Sequence, residues 1–279
     1  MKILSIDIGI KNLAYCVLEI EENSTTFNII KWDVINLCGE IPLCQYVMKN
    51  KKMTKKCDKK ACVYRDNIYY CKTHAKKMNC LLETSETKIK ASSKLCELKL
   101  LADKYNITYT AQDKKCDLYR EVTNYINKNI YRNVKNISAS DLSLIDVGYA
   151  IAKMVPQHIE TNDIDKVIIE NQISPLANRM KTIQGMVAQF FIMNNIKDIF
   201  FISATNKLKP FTDKKMNYKE RKEMGITITT QILENKGDWC KLFNNHKKKD
   251  DLADSLLQGL WFLQHKNIIS TEYITNNNI

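Results

Sequence analysis

Apolar side chains run almost unbroken through KILSIDIG (2–9) and AYCVLEI (14–20) and recur through FNIIKWDVINL (27–37), which predicts three strands. Around Cys38 that pattern stops. Helical spacing takes over in SKLCELKLLADKY (93–105), at Leu95, Leu98, Leu100 and Leu101, and in KCDLYREVTNYINKN (115–129), at Leu118, Val122 and Ile126. An extended piece, NITYTAQD, joins these two short helices, and YRNVKNISAS (131–140) reads as a linker. DLSLIDVGYAIAKMVPQH (141–158) predicts a helix capped by Ser140 or Asp141. DKVIIENQ (165–172) then reads as a buried strand and RMKTIQGMVAQFFIMNN (179–195) as a helix, with Met180, Ile183, Val187, Phe190 and Phe191 along one side. KDIFFISATNKL (197–208) is another strand, and YKERKEMGITITTQILENK (218–236) a helix with a basic start. HKKKDDLADSLLQGLWFLQHK (246–266) supplies the last helix, and the polar tail from Thr271 is expected to fray. Strands and helices alternate through the second half, which predicts an α/β sheet with crossovers.

Three carboxylates open the last helix. Asp250 suits an N-cap, and acidic side chains in a first turn face the positive end of the macrodipole. That accounts poorly for Asp254. Ala253, Leu256, Leu257, Leu260 and Trp261 recur at helical spacing and should face a core, and Asp251 and Asp254, three apart, share a face beside them. A carboxylate at a core margin is costly unless something neutralises it. Asp7 lies between two isoleucines in the first strand, and Glu170 follows two more in IIENQ. Strand ends of an α/β sheet commonly line a site, although either residue alone could simply reach solvent. Converging carboxylates repel one another unless a cation sits among them, and oxygen ligands without histidine suit Mg²⁺ or Mn²⁺.

Charge sharpens this. Forty-three Lys and Arg against 31 Asp and Glu leave a net charge of +12, which points to a polyanionic partner. Residues 44–80 hold eleven Lys/Arg and two Asp, a surplus of nine, so most of the excess sits in one segment. No run approaches the ~18 apolar residues of a membrane span, and MKILSIDIGI does not read as a signal peptide. The ten cysteines are therefore expected as reduced thiols, some binding metal. Seven glycines and no glycine-rich run argue against an actin-like or sugar-kinase ATPase, which needs further glycine-rich phosphate loops.

The stretches SIDIGIKNLAY, VIIENQ with RMKTIQGMVAQFF, ISATNKLK, YKERKEMGI and KKKDDLADSLLQGLW, in this order, resemble the successive motifs of the RuvC-like Holliday junction resolvases, nearest the poxvirus and mitochondrial branch. The resemblance implies an RNase H-like fold and a homodimer that cuts four-way DNA junctions by paired nicks with Mg²⁺ or Mn²⁺, two ions per site. By motif, Asp7, Glu170, Asp251 and Asp254 would be the metal ligands and the catalytic residues, with Asp250 as a rival. The helix after Glu170 resembles the family's dimer helix, though its stripe also suits ordinary core packing. Lys207, Lys209, Lys219, Arg221 and Lys222 would touch phosphates. Another RNase H-like nuclease, or a junction-binding protein without catalysis, are the competing readings. The expected location is intracellular, where DNA replicates or recombines, and a composition rich in Asn, Ile and Lys hints at the AT-rich genome of a large DNA virus.

On this reading residues 1–37 and 141–279 form the catalytic domain, with 38–80 a basic finger-like insertion and 81–140 a helical one. In the finger, Cys44, Cys57, Cys71 and His74 have the types of a structural zinc site, Cys44 and Cys57 flanking the basic stretch KNKKMTKK as on a hairpin. Cys62, Cys38 and Cys80 are rival ligands. The helical pair resembles a SAP-like DNA-binding motif, or is a plain helical hairpin.

Overall fold

The computed structural model describes residues 1–21, 26–50, 53–172, 178–212 and 216–270. The tail from Thr271, expected to fray, lies outside the described residues. The chain divides into two compact units, Met1–Gly39 with Ile137–Ile279, and Glu40–Asn136.

In the first unit, strands β1 (Lys2–Asp7), β2 (Leu13–Glu19) and β3 (Asn28–Ile35) form an antiparallel meander. The turn after β1 depends on Gly9, where an added Cβ would lie 2.3 Å from the Asn12 carbonyl oxygen. In the second unit, β4 (Val47–Asn50) and β5 (Met53–Lys56) make a two-stranded ribbon. Strands β6 (Val63–Arg65) and β7 (Ile68–Tyr70) turn through Asp66 and Asn67, both at positive φ. Helix α1 (Lys72–Lys77), β8 (Leu81–Leu82), α2 (Leu95–Lys104) and α3 (Lys115–Asn129) follow. Residues 131–133, expected as linker, belong to strand β9 (Ile130–Asn133), antiparallel to β6 and parallel to β8. Leu98, Ala102, Leu118, Val122 and Ile126 close the core between α2 and α3.

The chain then returns to the first unit through α4 (Leu144–His158), β10 (Lys166–Asn171), α5 (Asn178–Met193), β11 (Asp198–Ser203), α6 (Tyr218–Ile232), α7 (Gly237–Asn245) and α8 (Lys249–His265). Ser143 caps α4 rather than Ser140 or Asp141: its hydroxyl accepts from the Asp146 N–H while Asp146 reaches back, and Asp141 closes a turn on Ser138 instead. Strand order is β11-β10-β1-β2-β3, with β1, β10 and β11 mutually parallel and β2 antiparallel to both its neighbours. A meander extended by two parallel crossover strands on its first strand is the RNase H-like arrangement, as the motifs led one to expect.

Strand alternation sorts the core into two layers. Leu4, Ile6, Val167 and Ile169 face α4 and α5, whereas Ile3, Ile168 and Ile202 pack with α6, α7 and α8. The apolar stripe of α5 turns inward, and Ile183, Val187 and Phe191 are buried in this chain's own core, so core packing accounts for it. Helix α8 exceeds its expected amphipathic stripe: ten of its residues, from Leu252 to Leu263, are buried. It is pinned to the sheet by polar contacts. The Gln258 amide donates to Ser5 Oγ and the Ile6 carbonyl, both at 3.1 Å, and the Trp32 indole donates to the Leu252 carbonyl at 3.0 Å.

Gly259 lets α8 lie this close, since a Cβ there would stand 2.9 Å from Leu18 Cδ1 and 3.2 Å from Ser5 Cβ. Gly259→Val is therefore expected to destabilise by about 1–3 kcal/mol through overpacking. Gly225 in α6 is the contrast, its Cβ position meeting Leu257 Cδ1 at an ordinary 3.6 Å. Gly225→Ala should be neutral or stabilising by up to ~1 kcal/mol, the usual helix preference for Ala. Chemical denaturation of the two variants separates these outcomes.

Candidate active site

The sheet's alternation brings two acids together. Asp7 has the parity of Ile3 and Ser5, and Glu170 that of Ile168, so both point to the α8 side. The parallel register pairs Ile6 with Ile169, which makes Asp7 and Glu170 neighbours across adjacent strands. Helix α8 supplies the third: carboxylate oxygens of Asp7, Glu170 and Asp254 lie within 4.8 Å of one another. Asp251 lines the same cavity without joining that group. One of its oxygens is buried with no hydrogen-bond partner among the described residues, and Lys248 Nζ lies 3.7 Å from it. Asp250, proposed as N-cap, sits inside the first turn instead, where it pairs with Lys222; the cap position belongs to Lys248.

Lys207 occupies a place the sequence did not foretell. A short 3₁₀ turn at Ala204–Asn206 follows β11, and the chain folds back so that the Lys207 ammonium lies 2.6 Å from Glu170, 3.1 Å from Asp254 and 3.8 Å from Asp7. Its side chain is 5% exposed. Lys207 is thus a buried counter-charge to three carboxylates rather than a surface lysine free to grip phosphate. Lys222 is half-buried and held by Asp250. Lys209, Lys219 and Arg221 are exposed, as phosphate contacts need, and Arg221 lines the cavity with Tyr218 and Lys222.

Burial pushes the Asp7 carboxyl well above the usual carboxylate range; Lys207 opposes the shift, and Glu170 and Asp254 reinforce it. Burial likewise raises Asp254, against the pull of Lys207. Glu170 is held below its ordinary value, because hydrogen bonding to Asp7 and the charge of Lys207 outweigh its burial. Asp251 is raised by burial and by its neighbour Asp250. Burial opposes protonation of Lys207, but Asp7, Asp254 and Glu170 outweigh it and keep the ammonium charged. The cavity, about 320 Å³, thus gathers more carboxylate oxygen than one lysine satisfies. An all-oxygen donor set with one orphaned buried oxygen fits a hard divalent cation.

The second unit gathers a different set. Cys44, Cys57, Cys71 and His74 are all buried, with ligand atoms within 4.8 Å of one another. Cys62 and Cys80 belong to a separate cluster around Val63, Ala75 and Tyr131, and Cys38 packs in the first unit.

Residues 3–187 match the family model described as mitochondrial resolvase Ydc2 / RNA splicing MRS1, and residues 116–266 match the one described as poxvirus A22 protein. An uncharacterized protein, L451, of Acanthamoeba polyphaga mimivirus is 29% identical over 310 residues, covering 95% of this chain and 75% of its own. Among solved structures, the fowlpox virus resolvase in complex with Holliday junction DNA is 17% identical, at a TM-score of 0.41 over 95% of this chain and 99% of its own. The yeast mitochondrial Holliday junction resolvase Ydc2 is 14% identical, at 0.43 over 98% and 85%. Those structural scores are low, and the assignment stands on the two family models, each spanning more than half of the chain: it belongs to the family of the mitochondrial resolvase Ydc2 and the RNA-splicing protein MRS1, and its second half to that of the poxvirus A22 proteins.

Proposed function

We propose that this chain is a structure-specific endonuclease that resolves four-way DNA junctions by divalent-metal-dependent phosphodiester hydrolysis. The observation that carries the reading is the convergence of Asp7, Glu170 and Asp254 from two parallel strands and a helix in one cavity of a basic protein. A pair of Mg²⁺ or Mn²⁺ ions bound there supplies activation of water and neutralisation of charge on the scissile phosphate. Asp7, Glu170 and Asp254 would hold the first ion, and Asp251, which lines the same cavity with one oxygen unpartnered, would serve a second. Lys207 offsets part of the penalty on the ionised carboxylates and holds Glu170 and Asp254 in place. Arg221 and Lys222 at the cavity wall, with exposed Lys209 and Lys219, orient the DNA backbone. Paired nicks need two such cavities, which a homodimer provides. Exposed Ile145 and Tyr149 on α4 and Ile192 and Met193 on α5 offer it apolar surface.

The test is cleavage of a mobile four-way junction beside a fork, a flap, linear duplex and an RNA–DNA hybrid, in Mg²⁺ or Mn²⁺. Symmetric paired nicks confined to the junction are expected. Preferential cutting of the hybrid would move the chain to another RNase H-like activity. Junction binding without nicks in either metal would leave a binding protein.

A further inference from the structure

We propose that Cys44, Cys57, Cys71 and His74, the last through Nδ1, bind one structural zinc ion, and that this ion fixes the root of the β4–β5 ribbon so that its lysines meet a nucleic-acid backbone. The second clause rests on the nucleic-acid reading above; the first does not.

The geometry is that of one small ion. Cys44 Sγ and Cys71 Sγ lie 3.3 and 3.4 Å from His74 Nδ1. Tetrahedral zinc with ordinary Zn–S and Zn–N bonds sets that edge at about 3.6 Å. Three thiols and one imidazole make a closed donor set, the composition of a structural rather than a catalytic zinc site. The Tyr46 ring stacks on His74 with centroids 4.0 Å apart, which fixes the ring plane.

The segment needs such an ion. Between residues 40 and 80 the buried apolar side chains other than the three cysteines are Ala61, Val63 and Ala75 among the described residues. That is too little to fold a segment carrying eleven Lys/Arg. The three thiols pack together at its centre, and Tyr46 and Tyr70 are the apolar side chains against them among the described residues. They come from separate places in the chain: Cys44 and Cys57 from the two arms below β4 and β5, Cys71 and His74 from the end of β7 and from α1. Backbone bonds already join those arms, from Cys57 N–H to the Tyr46 carbonyl and from Cys44 N–H to the Lys59 carbonyl. An ion at this point ties both arms to α1.

Above this root the ribbon from Val47 to Lys56 carries five lysines and no acidic residue. Lys55 and Lys56, and Lys59 and Lys60 just beyond, are exposed, and none has an ion-pair partner among the described residues. A two-stranded ribbon whose described lysines lack ion-pair partners fits the phosphates of DNA or RNA.

Elemental analysis of the full chain purified without chelator should find about one zinc per chain. Cys62→Ser and Cys80→Ser should retain it, and Cys71→Ser should lose it. Because Cys71→Ser could unfold the segment, wild type is also loaded with Co²⁺, where thiolate-to-cobalt absorption bands of a tetrahedral site are expected. Absence of zinc, iron in its place, or an octahedral cobalt spectrum would each overturn the site. For the ribbon, Lys55→Glu with Lys56→Glu should keep the zinc while flattening the salt dependence of junction binding, measured in Ca²⁺, by about 0.9 logarithmic units per lost phosphate contact. An unchanged salt slope would overturn the ribbon's role. Neither readout involves cleavage, so a chain that bound zinc and junctions yet cut nothing would refute the nuclease reading and leave this one in place.

Discussion

Asp7→Asn is expected to lower junction cleavage by about a hundred- to a thousandfold, the scale of losing a preorganised electrostatic group in a water-poor site, while junction binding and fold persist. The amide keeps the shape of the side chain and removes one charged oxygen ligand. Its effect on stability should run the other way. Burial and the neighbouring Glu170 and Asp254 penalise the ionised form of Asp7 more than Lys207 rewards it, as its raised pKa records. A neutral side chain escapes that penalty, and Lys207 keeps Glu170 and Asp254 as partners. In divalent-free buffer the thermal midpoint should hold or rise by about 2–4 °C, the equivalent of ~1 kcal/mol in a chain of this size. Glu170→Gln serves as the second variant. Its carboxylate is stabilised in the fold rather than penalised, so it should lose cleavage equally without gaining stability. Wild-type cutting by either variant would remove the assigned centre; equal stability shifts in both would refute the electrostatic account of it.

Opposite stability effects at one site illustrate what a sequence holds and what it withholds. Asp7 and Glu170 stand out because a carboxylate among isoleucines is costly, and that cost is written in the local sequence. Their meeting on one face is not. It needs the register of Ile6 against Ile169, set by strands more than 150 residues apart. Apolar runs announce the strands that build the sheet, whereas YRN in β9 has no such run and is a strand only because β6 and β8, far earlier in the chain, pair with it. Helix α7 was overlooked, since GDWCKLFNN is short and buries only Phe243. For the cysteines, C-x-x-H was visible, but choosing Cys44 and Cys57 over Cys38, Cys62 and Cys80 needed the arms below the ribbon to be placed against α1. Lys207 is the clearest case. A lysine in ATNKLK looks like any other basic residue near DNA, and only its burial among three carboxylates reveals a different task.

That task predicts a large loss of stability when the ammonium is removed. Lys207→Met keeps the length of the aliphatic stem and removes the ammonium. Three carboxylates are then left beside one another at the ends of β1 and β10 and in the first turns of α8, with no other buried ion-pair partner among the described residues. Removing one partner of a buried ion pair costs about 3–5 kcal/mol, because the other charge stays desolvated. Here the penalty falls on Asp7, Glu170 and Asp254 together. Protonation relieves part of it, and the direction with pH follows from that. Without Lys207 the folded-state pKa values of Asp7 and Asp254 rise further above their unfolded values, and Glu170 loses the charge that holds it below its own, so the folded chain binds more protons than it does with Lys207 present, and the variant's stability falls relative to wild type as pH increases. The deficit relative to wild type should be greatest at neutral pH and shrink as pH drops toward the ordinary carboxylate range, about 4. A divalent cation offers the other remedy. Binding to the folded site alone, it should return about 2.7 kcal/mol at a hundredfold excess over its dissociation constant. Denaturant midpoints at neutral and acidic pH, with and without Mg²⁺ or Mn²⁺, therefore form a four-way comparison. The variant should be weakest at neutral pH without metal and recover on either change. A variant as stable as wild type under that first condition would show that Lys207 does not neutralise the cluster. A deficit untouched by divalent cations would show that the carboxylates do not hold one.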